Sequence, residues 1–454
     1  HNHYILKRGA TYLYTARILN NGYPLMVTAE DGDGELPIIK AVGPAPGEDE
    51  AERPFHAQGD LYLKDITING FDQGGNYTDN ATVRLAADSI TVVLNSVNFD
   101  FNRQNNLRVN ASGCSVYVEN CIIANQGVSA RLFQGFAITF RGNDFEVIHM
   151  RNNTIYNMHG NVVSSGSPAR YNKFIFENNT VVNTGAYAAS FGRPDTLIVK
   201  NNLWVNNGIL GDGILGDREN FVEPWFQMSI DSTFNGDTVN PELVDPMLVD
   251  FRHNYVYLDP AIAELLPDSS NKATDTFFHP YLADLMGISN YTHNQAFTFN
   301  NFPAEISEYQ AYIDDFYQFS DDPAEMPLFN TDFRTLDFTY SESHAAATAS
   351  SDAGPLGDRN WFPDFVPTNT EEPEYNFVEV SVYPNPVKDF VRMDNLDEST
   401  DVYVLNTTGQ RVMHVPTNGN TSMNLDISDL APGIYIISFQ NETNVKGIRK
   451  IMKQ

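Results

Sequence analysis

Short apolar segments, each introduced by an Asn-rich or Asp-rich step, recur along the first half of the chain. Their apolar residues alternate or cluster over a few positions, which is typical of β-strands. The six segments are residues 63–68, 94–99, 119–123, 151–156, 177–182 and 200–205. From the second segment on, the first asparagines stand at 95, 120, 152, 178 and 201, so the spacings are 25, 32, 26 and 23 residues.

A recurrence of this length predicts a solenoid, because strands this short bury a core only when they are stacked coil upon coil. The Asn-Asn steps suit tight turns, since asparagine tolerates a left-handed backbone, and superposed amides can hydrogen-bond along the stack. Leucine-rich repeats would need a repeated Leu spacing, and propellers would need longer periods with four strands each. We therefore predict an all-β chain whose residues 1–250 form a right-handed parallel β-helix.

The opening of the chain fits this prediction. Residues 4–12 and 25–29 are expected to form early strands, with a turn at 31–34. The rhythm of these segments resembles that of secreted β-helix proteins, including the pectate-lyase-like (pectin lyase-like) superfamily, over about residues 4–250. The resemblance rests on coil rhythm, and no catalytic motif accompanies it.

The rhythm fades after about residue 206, and residues 251–362 are predicted to form an irregular, mixed extension. Helical spacing appears at 260–266 and 305–319. We expect this extension to cap the open end of the β-helix, whose strand edges would otherwise invite aggregation. Its run 354–362 resembles a segment that often closes β-helices in Bacteroidetes secreted proteins. We assign no chemistry to that run.

Two further parts follow the extension. Residues 363–376 contain three prolines and three glutamates and little that could pack, which predicts a linker. Residues 377–454 contain about seven short alternating strands separated by turn residues, which predicts a small Ig-like β-sandwich.

Specific motifs in this last part go beyond a generic sandwich. It opens on Tyr-Pro-Asn-Pro at 383–386, has Asn-x-x-Gly at 406–409 and Asp-Ile-Ser-x-Leu-x-x-Gly-Ile-Tyr at 426–435, and ends on a basic tail. In order and spacing these motifs resemble the type A sorting domain of the type IX secretion system of the Bacteroidetes. The positions that carry the resemblance are Pro384, Asn385, Pro386, Gly409, Gly433, Tyr435 and Lys453. It implies passage through the periplasm, the type IX machinery as partner, and release or surface attachment, usually with removal of the domain.

The amino-acid composition limits the classes of partner that the protein is expected to bind. The 454 residues include 28 Lys and Arg against 58 Asp and Glu, a formal net charge of −30. Such acidity disfavours nucleic acid and anionic membrane surfaces. No apolar run is long enough for a membrane span. No signal peptide is visible, and we interpret the opening His1-Asn2-His3 as the start of a processed or truncated chain. Cys114 and Cys121 are expected to be buried thiols, with a disulfide only where the chain doubles back.

Residues that stand at the same distance from the first Asn of their segments should lie above one another on neighbouring coils. One place before the first Asn stand Glu119, Arg151, Glu177 and Lys200. Their alternating signs predict paired charges on a solvated face.

A second offset points to a binding site. Arg170 and Arg193 each lie eight residues before the first Asn of their segments, so their guanidinium groups should stack on neighbouring coils. Because like charges repel, something should offset the cost. With Lys173 nearby, the pair predicts a site for the carboxylates or sulfates of an acidic polysaccharide. The alternative is that these arginines bond neighbouring carbonyls and carboxylates.

Other residues could extend or complete such a groove. The weaker binding candidates are Arg131, Arg141, His149 and His159, and the candidate oxygen ligands for Ca²⁺ are Asp144, Glu177 and Asp195. In β-helix polysaccharide lyases, an Arg or Lys abstracts the proton α to a uronate carboxylate while a cation neutralises that carboxylate. By this resemblance Arg170, Arg193 and Lys173 are catalytic candidates, although no lyase signature is recognisable.

The sequence therefore predicts an exported or cell-surface β-helix protein that binds or degrades an acidic polysaccharide. A non-catalytic adhesin or structural surface protein is the alternative. Glycoside hydrolysis would need two carboxylates about 5 to 10 Å apart on one face.

Overall fold

The computed structural model describes most of the chain. The described residues are 3–43, 54–78, 81–128, 134–165, 170–186, 188–210, 226–227, 248–265, 296–302, 305–317, 335–365, 380–394, 396, 401–406, 411–440 and 445–454. They fall into two compact units, 1–367 and 368–454, which are described separately.

The first unit is a parallel β-helix built from three sheets, as predicted. Sheet A has nine strands, namely His3–Leu6, Leu25–Ala29, Leu61–Lys64, Thr91–Asn95, Cys114–Glu119, Phe145–Arg151, Arg170–Glu177, Arg193–Lys200 and Leu248–Arg252. Sheet B has nine strands, namely Thr11–Tyr14, Ile38–Ala41, Thr67–Asp72, Asn98–Asp100, Ile122–Gln126, Thr154–Met158, Thr180–Thr184, Leu203–Val205 and Tyr255–Tyr257. Sheet C has eight strands, namely Ile18–Leu19, Phe55–Ala57, Val83–Leu85, Asn105–Val109, Phe136–Thr139, Val163–Ser164, Ala189–Ser190 and Phe226–Gln227. The coils thus continue to Tyr257, past the expected end at residue 250.

The core fills the interior of the coils with stacked apolar columns. In sheet A, Val92 lies opposite Val116, which lies opposite Ile148, which lies opposite Phe174. All four are fully buried. Because strand side chains alternate between faces, every second residue adds to this core, at roughly 1.5 to 3 kcal/mol for each large aliphatic side chain.

The cysteines belong to the same interior. Cys114 and Cys121 are buried and free, and burial is the main cause that raises the pKa of each thiol. The expectation of buried, unpaired thiols is confirmed.

The turn from sheet A to sheet B uses the left-handed backbone that the Asn steps predict. From the third coil on, one residue per coil has a φ between 52° and 59° at this turn, and the seven are Asp65, Ser96, Asn120, Asn152, Asn178, Asn201 and His253. Asparagine and aspartate enter this region at lower cost than other side chains with a Cβ, which explains the first Asn of each pair.

The second Asn of each pair forms a buried ladder. The amide nitrogen of Asn153 donates to Asn179 Oδ1 (2.8 Å), that of Asn179 to Asn202 Oδ1 (3.1 Å), and that of Asn202 to Asn254 Oδ1 (2.9 Å). At the other end, Asn153 Oδ1 accepts from the backbone N–H of Cys121 at 2.9 Å. The predicted hydrogen bonding along the stack is therefore present in the later coils.

A second amide ladder lies near the ends of the sheet B strands. Asn183 donates to Asn157 (3.0 Å), Asn157 to Asn125 (3.1 Å), and Asn125 to the carboxylate of Asp100 (2.9 Å). The Tyr309 hydroxyl donates to Asn183 at 2.8 Å. Two internal ladders thus fix the register of neighbouring coils from opposite ends of sheet B.

The described part of the extension packs along the side of the coils. It contains the helices Pro260–Ala263 (α1) and Ile306–Tyr317 (α2) and the 3₁₀ turns Ala345–Thr348 and Arg359–Trp361. An outward column of sheet B, formed by Ala124, Tyr156, Val182, Val205 and Tyr257, is buried against the extension residues Phe297, Phe338, Tyr340 and Leu356. The described residues form a lateral cover over this column, which is apolar on its outer side, and the cap expected over the open end stays a prediction.

Residues 350–362, which we call the strap, cross the turn from sheet A to sheet B. The Thr154 hydroxyl donates to Asp358 at 2.6 Å, and Asp358 N–H donates to the Thr180 hydroxyl at 2.9 Å. The Trp361 indole N–H donates to the Thr154 oxygen at 2.8 Å. Two coils are thereby joined to one short segment through Asp358, which is buried.

The second unit contains two small antiparallel sheets. One consists of Ser381–Tyr383, Phe390–Asp394 and Ser422–Asp426; the other consists of Asp401–Asn406, Arg411–Pro416, Gly433–Gln440 and Val445–Lys453. Val391, Val402, Ile437 and Ile451 are buried in its separate core. Residues 366–379, most of the predicted linker, lie outside the described residues. No helix in the described part of the chain is long and apolar enough to cross a membrane.

Candidate functional site

The row predicted from the first shared offset runs across sheet A. The strand register pairs Glu119 with Arg151, Arg151 with Glu177, and Glu177 with Lys200. Arg151 contacts Glu119 at 3.2 Å, and Lys200 contacts Glu177 at 3.1 Å. The expectation of a solvated face is wrong for most of the row, because the side chains of Glu119, Arg151 and Glu177 are only 8%, 13% and 14% exposed. These charges pair with one another along the row.

His149 joins this row from the neighbouring column. Its Nε2 lies 2.9 Å from Glu177 Oε1, while Lys200 contacts the other carboxylate oxygen. Burial raises the pKa of Glu177, but the hydrogen bonds and charges of His149 and Lys200 outweigh it and lower the pKa to about 2. Glu177 is therefore an anion held between two basic groups.

Glu177→Gln should lower the free energy of unfolding at pH 7 by about 3 kcal/mol, from a pKa of about 2 against a normal value of 4.5. A depressed carboxyl pKa stabilises the fold above about pH 4.5, and this contribution is lost as the pH falls through about 2. The difference between wild type and variant should therefore shrink in acid. Urea unfolding between pH 3 and 7 measures it. Glu146→Gln, on the exposed residue that bonds Asn172, is the control and should change little; equal effects would contradict this role.

The second offset is present in the strand register. Arg170 and Arg193 are paired positions on neighbouring strands of sheet A. Lys173, three residues further along the same strand, is half-buried and lies opposite Val147 and Thr196. The structure thus brings the two predicted arginine positions together at the backbone level, at the start of their strands, with Lys173 close along the chain.

The other predicted site residues are scattered. Arg141 and Asp144 are exposed at the turn before Phe145–Arg151, and Asp195 is half-buried on the Arg193 strand. Arg131 lies outside the described residues. His159 is buried and contacts the Tyr312 hydroxyl of α2. Burial lowers the pKa of His159 to about 4, so this side chain is a neutral packing group and not part of an open groove.

The proposed calcium ligands do not converge. Within the residues that the structure describes, no group of three or more His, Cys, Asp or Glu side chains could hold a metal ion. Glu177 is engaged by His149 and Lys200, whereas Asp144 is exposed.

One neighbour of the site was missed in the sequence. Tyr117 lies directly opposite His149 in sheet A and is half-buried. Burial is the main cause that raises the pKa of Tyr117, and the charge of Glu146 adds to it. The sequence contains a signal that would have found it. Tyr117 and His149 each stand two residues before a member of the charged row, so their shared position in the repeat places them on neighbouring strands.

The comparisons with known proteins concern the second unit. Residues 381–454 match the family of secretion system C-terminal sorting domains. This segment is a type IX secretion sorting domain. The chain is therefore exported by that system to the cell surface or the extracellular space. No curated protein and no solved structure shows significant similarity to the chain.

Several predicted sorting positions lie near the beginning and the end of the sorting domain's sequence, and a hydrogen bond joins these two parts. Pro384, Asn385 and Pro386 are exposed, and Asn385 Oδ1 accepts from the backbone N–H of Met452 at 2.9 Å. The Tyr435 hydroxyl donates to the Ala431 carbonyl at 2.9 Å. The Tyr-Pro-Asn-Pro opening is therefore hydrogen-bonded to the last strand. That strand also contains Lys453, which pairs with Gly433 of the neighbouring strand. Gly409 lies outside the described residues.

Proposed function

We propose that this exported protein binds an acidic polysaccharide along the beginning of the sheet A strands. The observation that carries the proposal is the paired register of Arg170 and Arg193 on adjacent strands. Neighbouring strands lie about 4.8 Å apart, so a polymer running across the coils would meet successive arginine positions. Arginine forms two parallel hydrogen bonds with carboxylates and sulfates, which suits this ligand class.

Binding is favoured over degradation by the state of the nearby ionisable groups. His149 and Glu177, a histidine–carboxylate pair of the same sheet, are bonded to each other at 2.9 Å and are largely buried, so they do not offer a free base to a ligand at the arginine positions. A general base must reach the proton that it removes. The function supported best is therefore that of a non-catalytic, adhesin-like glycan-binding protein, with lyase activity as an outcome for the experiment to detect.

Arg170→Ala together with Arg193→Ala should weaken binding to polyuronate or sulfated glycans about tenfold or more. The reason is that the rest of the chain is strongly acidic and repels such polymers. Affinity electrophoresis in gels containing anionic or neutral glycans measures the effect. Raising the salt concentration should weaken wild-type binding as well.

The matched control removes two other cations of sheet A, Lys64→Ala with Arg252→Ala, so that the net charge changes equally. It should bind like wild type. The proposal fails if wild type binds no anionic glycan, or if the control loses as much affinity as the arginine variant. Release of unsaturated products, followed by ultraviolet absorbance, would show degradation at the same site.

A further inference from the structure

The four-stranded sheet of the sorting domain has one buried face and one outward face. Tyr435 and Ile451 are paired positions on neighbouring strands, and both are buried in the core of the domain. Because strand side chains alternate between faces, the next pair, Ile434 and Met452, lies on the opposite side of the sheet. The Ile434 side chain is 38% exposed and that of Met452 is 50% exposed. This side of the sheet therefore presents apolar surface outward.

The sorting motif fixes the backbone at this exposed pair. The Met452 N–H donates to Asn385 Oδ1 at 2.9 Å, and the Met452 carbonyl accepts from the Val387 N–H at 2.8 Å. Asn385 belongs to the Tyr-Pro-Asn-Pro opening. Gly433 and Lys453, two further sorting positions, form the neighbouring pair on the same two strands. The positions that carry the sorting resemblance therefore border the exposed pair.

The outward face continues across the sheet to a positively charged side chain. Tyr403 and Leu405 alternate with two buried valines, so both belong to the outward face. Arg411 is exposed on the adjacent strand, opposite Leu405. Its guanidinium carbon lies 4.3 Å from the centroid of the Tyr403 ring, and that ring is stacked on His414. The outward face thus combines apolar surface with an ordered cation.

Charge distinguishes this sheet from the other sheet of the domain. Its four strands contain five Lys and Arg and one Asp, a formal charge of +4, in a chain whose net charge is −30. The strands of the three-stranded sheet contain one Arg and two Asp, a formal charge of −1. There, Arg392 already contacts Asp394 at 2.7 Å. The four-stranded sheet therefore suits a partner with acidic groups, which most of the chain would repel.

We propose that the type IX machinery binds the outward face around Leu405, Ile434 and Met452, which we call the docking face, through a surface that is apolar and acidic. A sorting domain is recognised by a component of its secretion system, so one of its surfaces is a contact. Of the two sheets, this one combines exposed apolar side chains with a net positive charge, and it borders the sorting motif. Burial of the apolar side chains supplies affinity, and the opposite charges guide association and select the partner.

Export of the full chain, directed to the periplasm of a bacterium that carries the type IX system, tests the proposal. Ile434→Asp with Met452→Asp should lower the amount at the cell surface and in the medium about tenfold or more, with accumulation in the periplasm. The control, Phe390→Asp with Asn424→Asp, adds the same charge to the outward face of the three-stranded sheet and should be exported like wild type. All four side chains are exposed, so the fold should be retained, which circular dichroism verifies.

A second variant tests the charge of the partner. Ile434→Lys with Met452→Lys also removes the apolar contact, but an acidic partner tolerates lysine better than aspartate, so its export should lie between those of the aspartate variant and wild type. A photo-crosslinking amino acid at position 452 should form an adduct with a type IX component, identified by mass spectrometry. Normal export of the aspartate variant, an equal loss in the control, or equal losses with lysine and aspartate would overturn the proposal. An adduct with only a second copy of the chain would also overturn it.

Discussion

Asn179→Ala is expected to lower the free energy of unfolding by about 4 kcal/mol. The Asn179 side chain accepts from the backbone N–H of Asn153 (3.0 Å) and donates to the Met150 carbonyl (3.0 Å), and it is fully buried. Alanine would leave both backbone groups without these partners, and each unsatisfied buried group costs about 1 to 3 kcal/mol. Urea unfolding followed by circular dichroism measures the loss.

The adjacent residue supplies a matched control. Asn178 has a φ of 54° but its Oδ1 has no hydrogen-bond partner, so its main contribution is to adopt the left-handed turn. Glycine adopts that conformation freely, and Asn178→Gly should cost no more than about 1 kcal/mol. If the two variants were equally stable, the ladder would not be the feature that stabilises these coils.

Asp358→Asn is expected to make the protein more stable in mild alkali. Asp358 is buried under the strap, and burial is the main cause that raises its pKa to about 7, against the bonds from Thr154 and Asn360. A carboxyl group whose pKa is higher in the folded state stabilises the fold fully below about pH 4, and this contribution is lost as the pH rises through 7. The asparagine variant carries no such charge, so at pH 8 it should exceed wild type by up to about 4 kcal/mol and at pH 4 it should match it.

Thermal unfolding at pH 4, 6 and 8 tests this expectation, and hydrogen exchange over 350–362 shows whether the strap itself responds. Asp352→Asn should have the opposite effect at pH 8, because Asp352 forms an ion pair with Arg359 at 2.7 Å and its pKa is lowered, although burial acts against the lowering. A parallel pH profile for wild type and Asp358→Asn would exclude Asp358 as the titrating group.

The β-helix was predictable because its causes are local and repeated. The Asn-Asn steps mark both the left-handed turn and the internal ladder, and the offset rule placed Arg170 opposite Arg193. The predicted helices at 260–266 and 305–319 correspond to the shorter Pro260–Ala263 and to Ile306–Tyr317. The early strand expected over 4–12 is instead divided into His3–Leu6 and Thr11–Tyr14, because the chain turns between sheets A and B.

The lateral cover was not predictable, because its contacts join distant parts of the chain. The Asn360 side chain donates to the Asn152 carbonyl across 208 residues, and Asp358 meets Thr154 across 204. The periodicity of the sequence contains no information on contacts between residues so far apart in the chain. The environment of His159 was not predictable for the same reason. The sequence near His159 does not distinguish a buried histidine from an exposed one, and the residue that covers it, Tyr312, belongs to a much later helix.

The amide ladder also bears on how such a chain can change in length. Asn153 and Asn179 occupy equivalent places 26 residues apart, and each donates from its amide nitrogen to the equivalent Asn of the next coil. Duplicating or deleting one such interval in the gene would insert or remove a whole coil and preserve the Asn-to-Asn bonds of the ladder. In the preceding coil the place is taken by Cys121, whose thiol accepts from Val97 N–H, so an exchange there would join unlike partners. Growth and shrinkage of the solenoid over evolutionary time should therefore concentrate in its later coils.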